Sequence, residues 1–260
     1  MPADVCGLAD MKKPGAVTFD LWDTLIQELP GGSGKVARAR IEGTIGVLER
    51  SGRGHSRAEV LEAYTKTGTF LGLAWGKARD MSVRDQVLFM LSCIECRLPS
   101  KLAPDDFSEI ERIYSDSMLG IRPVLMPMAR ETLEGLRDEG HRMGLISNTG
   151  RTPGSSLRPI MEGLGILEFF EVTTFSNEVM VRKPAEAIFR TTLDRLKVPA
   201  RSAVHIGDDP DSDVMGARRA GMAAIQVHSA RADRSEAADA YVISLDEVAD
   251  ALRTVQGRHP

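Results

Sequence analysis

Cysteine is scarce in this chain, and its scarcity excludes a disulfide-stapled fold. Three cysteines in 260 residues cannot build a framework of bridges. Cys93 and Cys96 do form a C-x-x-C inside VRDQVLFMLSCIEC. A zinc site would need a second pair or two histidines, and a redox motif would directly follow a strand. The pair therefore reads as two small helix residues. Basic charge is also lacking. A net charge of −4 argues against a general polyanion binder, so neither nucleic acid nor a membrane surface is an expected partner. No apolar run approaches the roughly 18 residues of a membrane span, and the densest cluster lies around Val87 to Leu91. The opening MPADVCGLADMKKPG has no apolar stretch of the secretory kind, so the expectation is a cytoplasmic protein with a flexible tail over residues 1–13. A phosphate-binding P-loop is missing too. GGSGK at 31–35 has Leu29 where the first glycine belongs and Val36 after the lysine, so it reads as a flexible connector.

What is present is ordinary globular composition, 42% hydrophobic and 27% charged, at a length that suits one large or two unequal domains. Its organisation changes twice. Residues 17–20 read as a buried strand ending in Asp20, and LPGGSG then breaks the pattern. From Lys35 to about Leu119, apolar residues recur at helical spacing, as in Ile41, Ile45 and Leu48 or Val83, Val87 and Leu91. Ser56 before Glu59 forms a capping box, and Pro104-Asp105 opens another helix. After Arg122-Pro123 strands and helices alternate: a helix closed by Gly140, the strands MGLIS, EVTTFS, SAVHIGD and AAIQVH, helices between them, and a final YVISLDEVADAL. This alternation predicts an α/β fold, a Rossmann-like parallel sheet covered by helices on both faces. An all-helical segment of three to five helices interrupts it near its start.

In an open parallel sheet, ligands bind beyond the carboxyl ends of the strands. Four polar clusters fall there: Asp20 to Thr24, Ser147-Asn148-Thr149, Arg182-Lys183-Pro184, and Gly207-Asp208-Asp209 with Asp213. DLWDTL, LISN, RKP and HIGDDPDSDVMGARRAG together resemble the four motifs of the haloacid dehalogenase superfamily, most of whose members are phosphatases. The resemblance runs from about Val17 to Val248. It implies a core domain over 14–30 and 122–260 with a helical cap domain over 31–121.

The resemblance also implies a site. Asp20 would attack phosphorus and form an acyl phosphate, which divides a difficult displacement into two steps. Asp20, Ser147 and Lys183 are the expected catalytic residues, and Thr24, Ser147, Asn148 and Lys183 the substrate-binding ones. Mg²⁺, a hard cation that prefers oxygen ligands, would be held by Asp20, the backbone carbonyl of Trp22, and Asp208. Asp209 and Asp213 would lie in the same acidic loop, Asp213 as an outer-sphere or loop-organising carboxylate rather than a direct ligand and Asp209 as either. The substrate would be a small phosphorylated metabolite.

Trp22 stands where the family's phosphatases carry an aspartate that protonates the leaving oxygen. An indole neither gives nor takes a proton near pH 7. Asp23 is not expected to substitute, because adjacent residues leaving a strand point different ways. Three readings follow: a phosphatase for good leaving groups, a 2-haloacid dehalogenase-like enzyme, or a silent metal- and phosphate-binding protein. Haloacid dehalogenases also carry an aromatic residue at this position but lack the acidic loop. A phosphonate-cleaving enzyme would need a cap lysine, for which Lys66, Lys77 and Lys101 are available. Trp75 and helix 83–96 are candidates for the cap's inner face, with core packing the simpler role for Trp75.

Overall fold

The computed structural model describes residues 15–256; the expectation of a flexible tail falls outside the described residues. The central strand β1, Ala16–Phe19, is buried along its whole length. A short β2, Ile26–Gln27, leads into five consecutive helices: α1 Gly32–Arg50, α2 Arg57–Trp75, α3 Val83–Ile94, α4 Leu98–Lys101 and α5 Pro104–Asp116. The chain re-enters through β3, Val124–Leu125, which pairs antiparallel with β2 where the helical segment leaves and rejoins the sheet.

Alternation then begins, with α6 Ala129–Asp138, β4 Met143–Ser147, α7 Gly154–Gly163, β5 Val172–Phe175, α8 Ser176–Val179 and α9 Glu186–Leu196. It continues through β6 Ala203–Gly207, a π-helical turn at Pro210–Met215, α10 Gly216–Arg219, β7 Ala223–Val227, β8 Ala240–Val242 and α11 Val248–Gln256. The sheet order is β5-β4-β1-β6-β7-β8, with every neighbouring pair parallel. Strand β1 therefore lies between β4 and β6, and the motifs that follow these three strands meet at one edge.

Successive residues of each strand feed opposite faces, as the pleat requires. Val17, Phe19, Leu145, Val204, Ile206 and Ile225 join one hydrophobic cluster. Ala16, Ile146, Ala203 and Ala224 join the other. Each large side chain buried this way contributes about 1.5–3 kcal/mol, which fixes the register of β1 against both neighbours. The five helices before β3 carry a third cluster of their own, including Leu48, Val60, Val87, Leu91, Ile110 and Tyr114. The capping box forms as expected, with Ser56 accepting from Glu59 N and Glu59 accepting from Ser56 N.

Three local expectations need correction. GGSGK is no connector: Gly31 turns the chain at φ 74 and α1 begins at Gly32. A glycine-rich first turn is tolerated because helix stability here comes from the packed residues downstream. Cys93 lies in α3, but Cys96 lies beyond its end and is exposed. Trp75, at the end of α2, is outside the helical cluster; it packs on Arg182, whose guanidinium carbon sits 4.5 Å from the ring centre.

Candidate active site

Asp20 is the first residue past β1. Its amide donates to Ile206 O at 2.8 Å, which ties it to the end of β6. The chain then doubles back tightly. Leu25 N and Ile26 N both donate to Leu21 O, and Asp23 adopts φ 57. That left-handed turn breaks the strand alternation, so Trp22 and Asp23 both line the cavity that Asp20 faces. The expectation that Asp23 would point elsewhere is corrected: alternation holds only while the backbone stays extended.

The cavity has a volume of about 230 Å³. Lys183 enters it from the loop before α9 and is only 4% exposed. Its ammonium donates to Asp20 Oδ1 and Asp213 Oδ1, each at 2.5 Å. The Asn148 side chain clamps the Lys183 backbone at two points, with Nδ2 donating to Lys183 O at 3.0 Å and Oδ1 accepting from Lys183 N at 2.8 Å. Motifs following β4 and β5 are thus locked to each other before any ligand arrives.

On the other side of Asp20, β6 delivers the acidic loop. Asp20, Asp208 and Asp213 place carboxylate oxygens within 4.8 Å of one another. Gly207 makes this packing possible: a Cβ there would lie 2.4 Å from Asp213 Cγ. Asp213 is an organiser. It takes Lys183, His205 Nε2 at 3.0 Å and Asp209 N at 3.1 Å. Since a carboxylate only accepts, His205 donates through Nε2, and its Nδ1 takes the Thr18 hydroxyl at 2.9 Å. Asp209 has a capping role: its Oδ1 accepts from Asp211 N, Ser212 N and Ser212 Oγ. It lines the cavity but stands outside the three-carboxylate group, because the turn that follows needs its oxygen.

Charge states follow from these contacts. Burial pushes the Asp20 carboxyl far above the usual carboxylate range, with Lys183 pulling it down in part and Asp213 and Asp208 pushing it further up. Burial also raises Asp208, to about 6, assisted by the charge of Asp213. At Lys183 burial opposes the ammonium, but Asp20 and Asp213 outweigh it and hold the lysine above its ordinary value. Burial works against the Asp213 carboxylate as well, yet Lys183 and His205 keep it well below the ordinary range. Burial keeps His205 neutral against the pull of Asp213.

Such a site is short of positive charge. Three buried carboxylates crowd together and one lysine answers two of them. The uncompensated oxygens of Asp20 and Asp208, both hard donors, fit a divalent cation of the Mg²⁺ kind. Two expected binding residues lie elsewhere. Thr24 and Ser147 are fully buried, do not line the cavity, and have hydroxyls without a hydrogen-bond partner among the described residues. The cavity also contains residues that sequence reasoning missed, chiefly Arg231, which donates to Asp23 at 2.7 Å across its rim. Nothing in the exposed stretch ARADRS marks that arginine. Lys183 is the only lysine lining the cavity among the described residues. Lys66 and Lys101 pair with Glu62 and Glu95 on the helical segment instead.

The central strand of a parallel sheet thus ends in a buried carboxylate, beside a buried lysine and an acidic loop. A sequence profile of the haloacid dehalogenase-like hydrolases matches residues 14–221, and the chain belongs to that family. It is 31% identical over 219 residues to haloacid dehalogenase-like hydrolase domain-containing protein 3 of Xenopus laevis, covering 82% of this chain and 83% of that protein. It is 33% identical over 116 residues to the ribulose-1,5-bisphosphate 5-phosphatase of Halopiger xanaduensis, covering 44% of this chain and 47% of that protein. The fold is similar to that of a 2-haloacid dehalogenase from Pseudomonas syringae, with a TM-score of 0.64 and 23% identity over 91% of this chain and 97% of that one. No helix among the described residues is long and apolar enough to cross a membrane.

Proposed function

We propose that the protein is a Mg²⁺-dependent phosphatase that hydrolyses a small phosphorylated metabolite through an aspartyl phosphate on Asp20. The observation that carries this reading is the acidic group. Asp208 and Asp213 crowd the nucleophile, an arrangement that is costly unless a cation is used beside it, and attack on a carbon–halogen bond has no such need. Similarity to proteins named as phosphatases supports it further.

Asp20, Asp208 and the carbonyl of Trp22 would hold Mg²⁺, which when bound neutralises phosphoryl oxygens facing the carboxylates. Lys183 presents a second positive charge next to Asp20, which favours its carboxylate form against burial and would meet another phosphoryl oxygen. Asn148 lines the cavity and holds Lys183 in place, so that no reorganisation is needed as charge develops. The orphaned hydroxyls of Thr24 and Ser147 lie beside these groups in sequence and would reach the phosphoryl group only after a local adjustment. An Asp20 oxygen bonds to phosphorus as the bond to the leaving oxygen breaks. Water then attacks phosphorus and releases phosphate with Asp20 restored.

No aspartate stands two residues after Asp20. Proton transfer to the leaving group is worth typically ~10²–10⁴-fold, so acyl and aryl phosphates should greatly outrun alkyl esters. The helices α1–α5 act as a cap that closes over the cavity and selects the substrate. Trp22 lining the cavity is the one feature that favours a dehalogenase instead. Acetyl phosphate and p-nitrophenyl phosphate assayed against 2-chloropropionate, with and without Mg²⁺, separate the readings. Mg²⁺-dependent phosphate release is expected. Metal-independent chloride release would overturn the proposal, and phosphate binding without any turnover would point to a silent protein.

A further inference from the structure

The loop between α2 and α3 carries a buried carboxylate that no step above uses. Asp80 is 5% exposed, and its side chain has no accessible surface. Its Oδ2 accepts from Arg182 at 2.8 Å, from Thr149 Oγ1 at 3.2 Å and from Ser176 Oγ. Its Oδ1 accepts from Trp75 Nε1 at 3.2 Å and from its neighbour Met81 N at 2.8 Å. The backbone joins in. Arg182 N donates to Ala78 O and Asp80 N to Met180 O, with Arg79 and Val181 forming an antiparallel bridge. Both sides of this bridge contain a non-glycine residue in the left-handed region, Ala78 at φ 52 and Met180 at φ 59. Backbone strain of this kind persists only where surrounding contacts impose it.

The partners of Asp80 adjoin the site. Arg182 precedes Lys183, Thr149 follows Asn148, and the Asn148 amide clamps the Lys183 backbone. Arg182 also donates to Thr149 O, so one guanidinium ties both motifs to the carboxylate. We propose that Asp80 is a positioning residue, latching the helical segment to these two motifs and thereby fixing Lys183 against Asp20. The proposal rests on the phosphatase reading, in which Lys183 meets the phosphoryl group. Without the carboxylate, the Arg182 guanidinium loses its counter-charge and two buried hydroxyls lose an acceptor. The 180–183 segment then loses its side-chain anchor at Arg182, leaving the Asn148 clamp and the backbone bonds alone to hold it, and the ammonium shifts from the nucleophile.

The test is Asp80→Asn in the full chain, assayed on p-nitrophenyl phosphate with Mg²⁺ at a temperature where circular dichroism shows the variant folded. A positioning role lowers kcat at least tenfold with a smaller change in KM. A merely structural role lowers the urea midpoint and leaves kcat within twofold, which overturns the proposal. Acting through Lys183, the substitution should add little to Lys183→Arg; effects that multiply would also overturn it. If Asp80→Asn does not fold, Arg182→Gln carries the same expectation and the same refutation. A wild-type protein that hydrolyses no phosphate ester overturns the phosphatase reading and this inference with it. An active wild type with an unaffected Asp80→Asn overturns the inference alone.

Discussion

Replacing Lys183 by Met tests the electrostatic frame of the site before any question of substrate. The substitution keeps an unbranched apolar stem and removes the ammonium that lies 2.5 Å from both Asp20 and Asp213. All three side chains are nearly inaccessible, at 1%, 8% and 2% exposure, so solvent offers little relief. Removing one partner of a buried ion pair costs about 3–5 kcal/mol, because the other charge is left uncompensated. At the denaturant sensitivity of up to about 3 kcal/mol/M seen for urea, this lowers the unfolding midpoint by roughly 1–2 M. The loss depends on pH in a defined direction. The folded Asp213 carboxyl is held below its unfolded value, so its contribution is present at neutral pH and disappears as pH falls through the folded value. Lys183 is held above its unfolded value, so its contribution is lost only as pH rises through the alkaline range. The gap between wild type and Lys183→Met should therefore be widest near neutrality and narrow as acid protonates the stranded Asp213 carboxylate. Urea unfolding in EDTA at several pH values measures it. A difference under about 1 kcal/mol, the range of an exposed pair, or one independent of pH, would refute the buried-pair reasoning.

Three further outcomes follow from the same geometry. Trp22→Asp should speed hydrolysis of alkyl phosphates by up to ~10²–10⁴-fold, measured as kcat/KM on a simple alkyl ester; no gain would place the deficit elsewhere in the cavity. Gly207→Ala puts a methyl 2.4 Å from Asp213 Cγ, and should destabilise by about 1–3 kcal/mol through overpacking while abolishing turnover. A normal unfolding midpoint would show that Asp213 is free to move. With Asp208 pushed up to about 6 by burial, protons compete with the cation, so Mg²⁺ affinity by calorimetry should weaken as pH falls through that value. Affinity that is flat across it would remove Asp208 from the ligand set.

The sheet and the motif positions were legible in the chain because both rest on local signals. Apolar strands such as MGLIS and HIG end in polar residues, and a parallel sheet gathers such ends by topology alone. The capping box at Ser56 was legible for the same reason. Features set by tertiary contact were not. Strands β2 and β3 are two residues each, too short for any period to register. Helix α1 starts inside a glycine-rich stretch because its downstream face is packed. Asp23 enters the cavity through one left-handed residue, and Arg231 reaches it from a loop of ordinary polar composition. Asp80 sits between two helices with nothing nearby in sequence to suggest burial; its partners Thr149, Ser176 and Arg182 lie far along the chain. The organiser role of Asp213 was an expectation of the sequence, whereas its partners, Lys183 and His205, were not.

The fate of the phosphoryl group at Asp20 decides whether the covalent chemistry occurs. Acid quenching during turnover of acetyl phosphate, followed by proteolysis and mass spectrometry, reads it directly. A phosphoryl adduct is expected on the peptide containing Asp20, formed only with Mg²⁺ and absent in Asp20→Asn. Steady turnover with no adduct on that peptide, or an adduct that forms equally in EDTA, would contradict it.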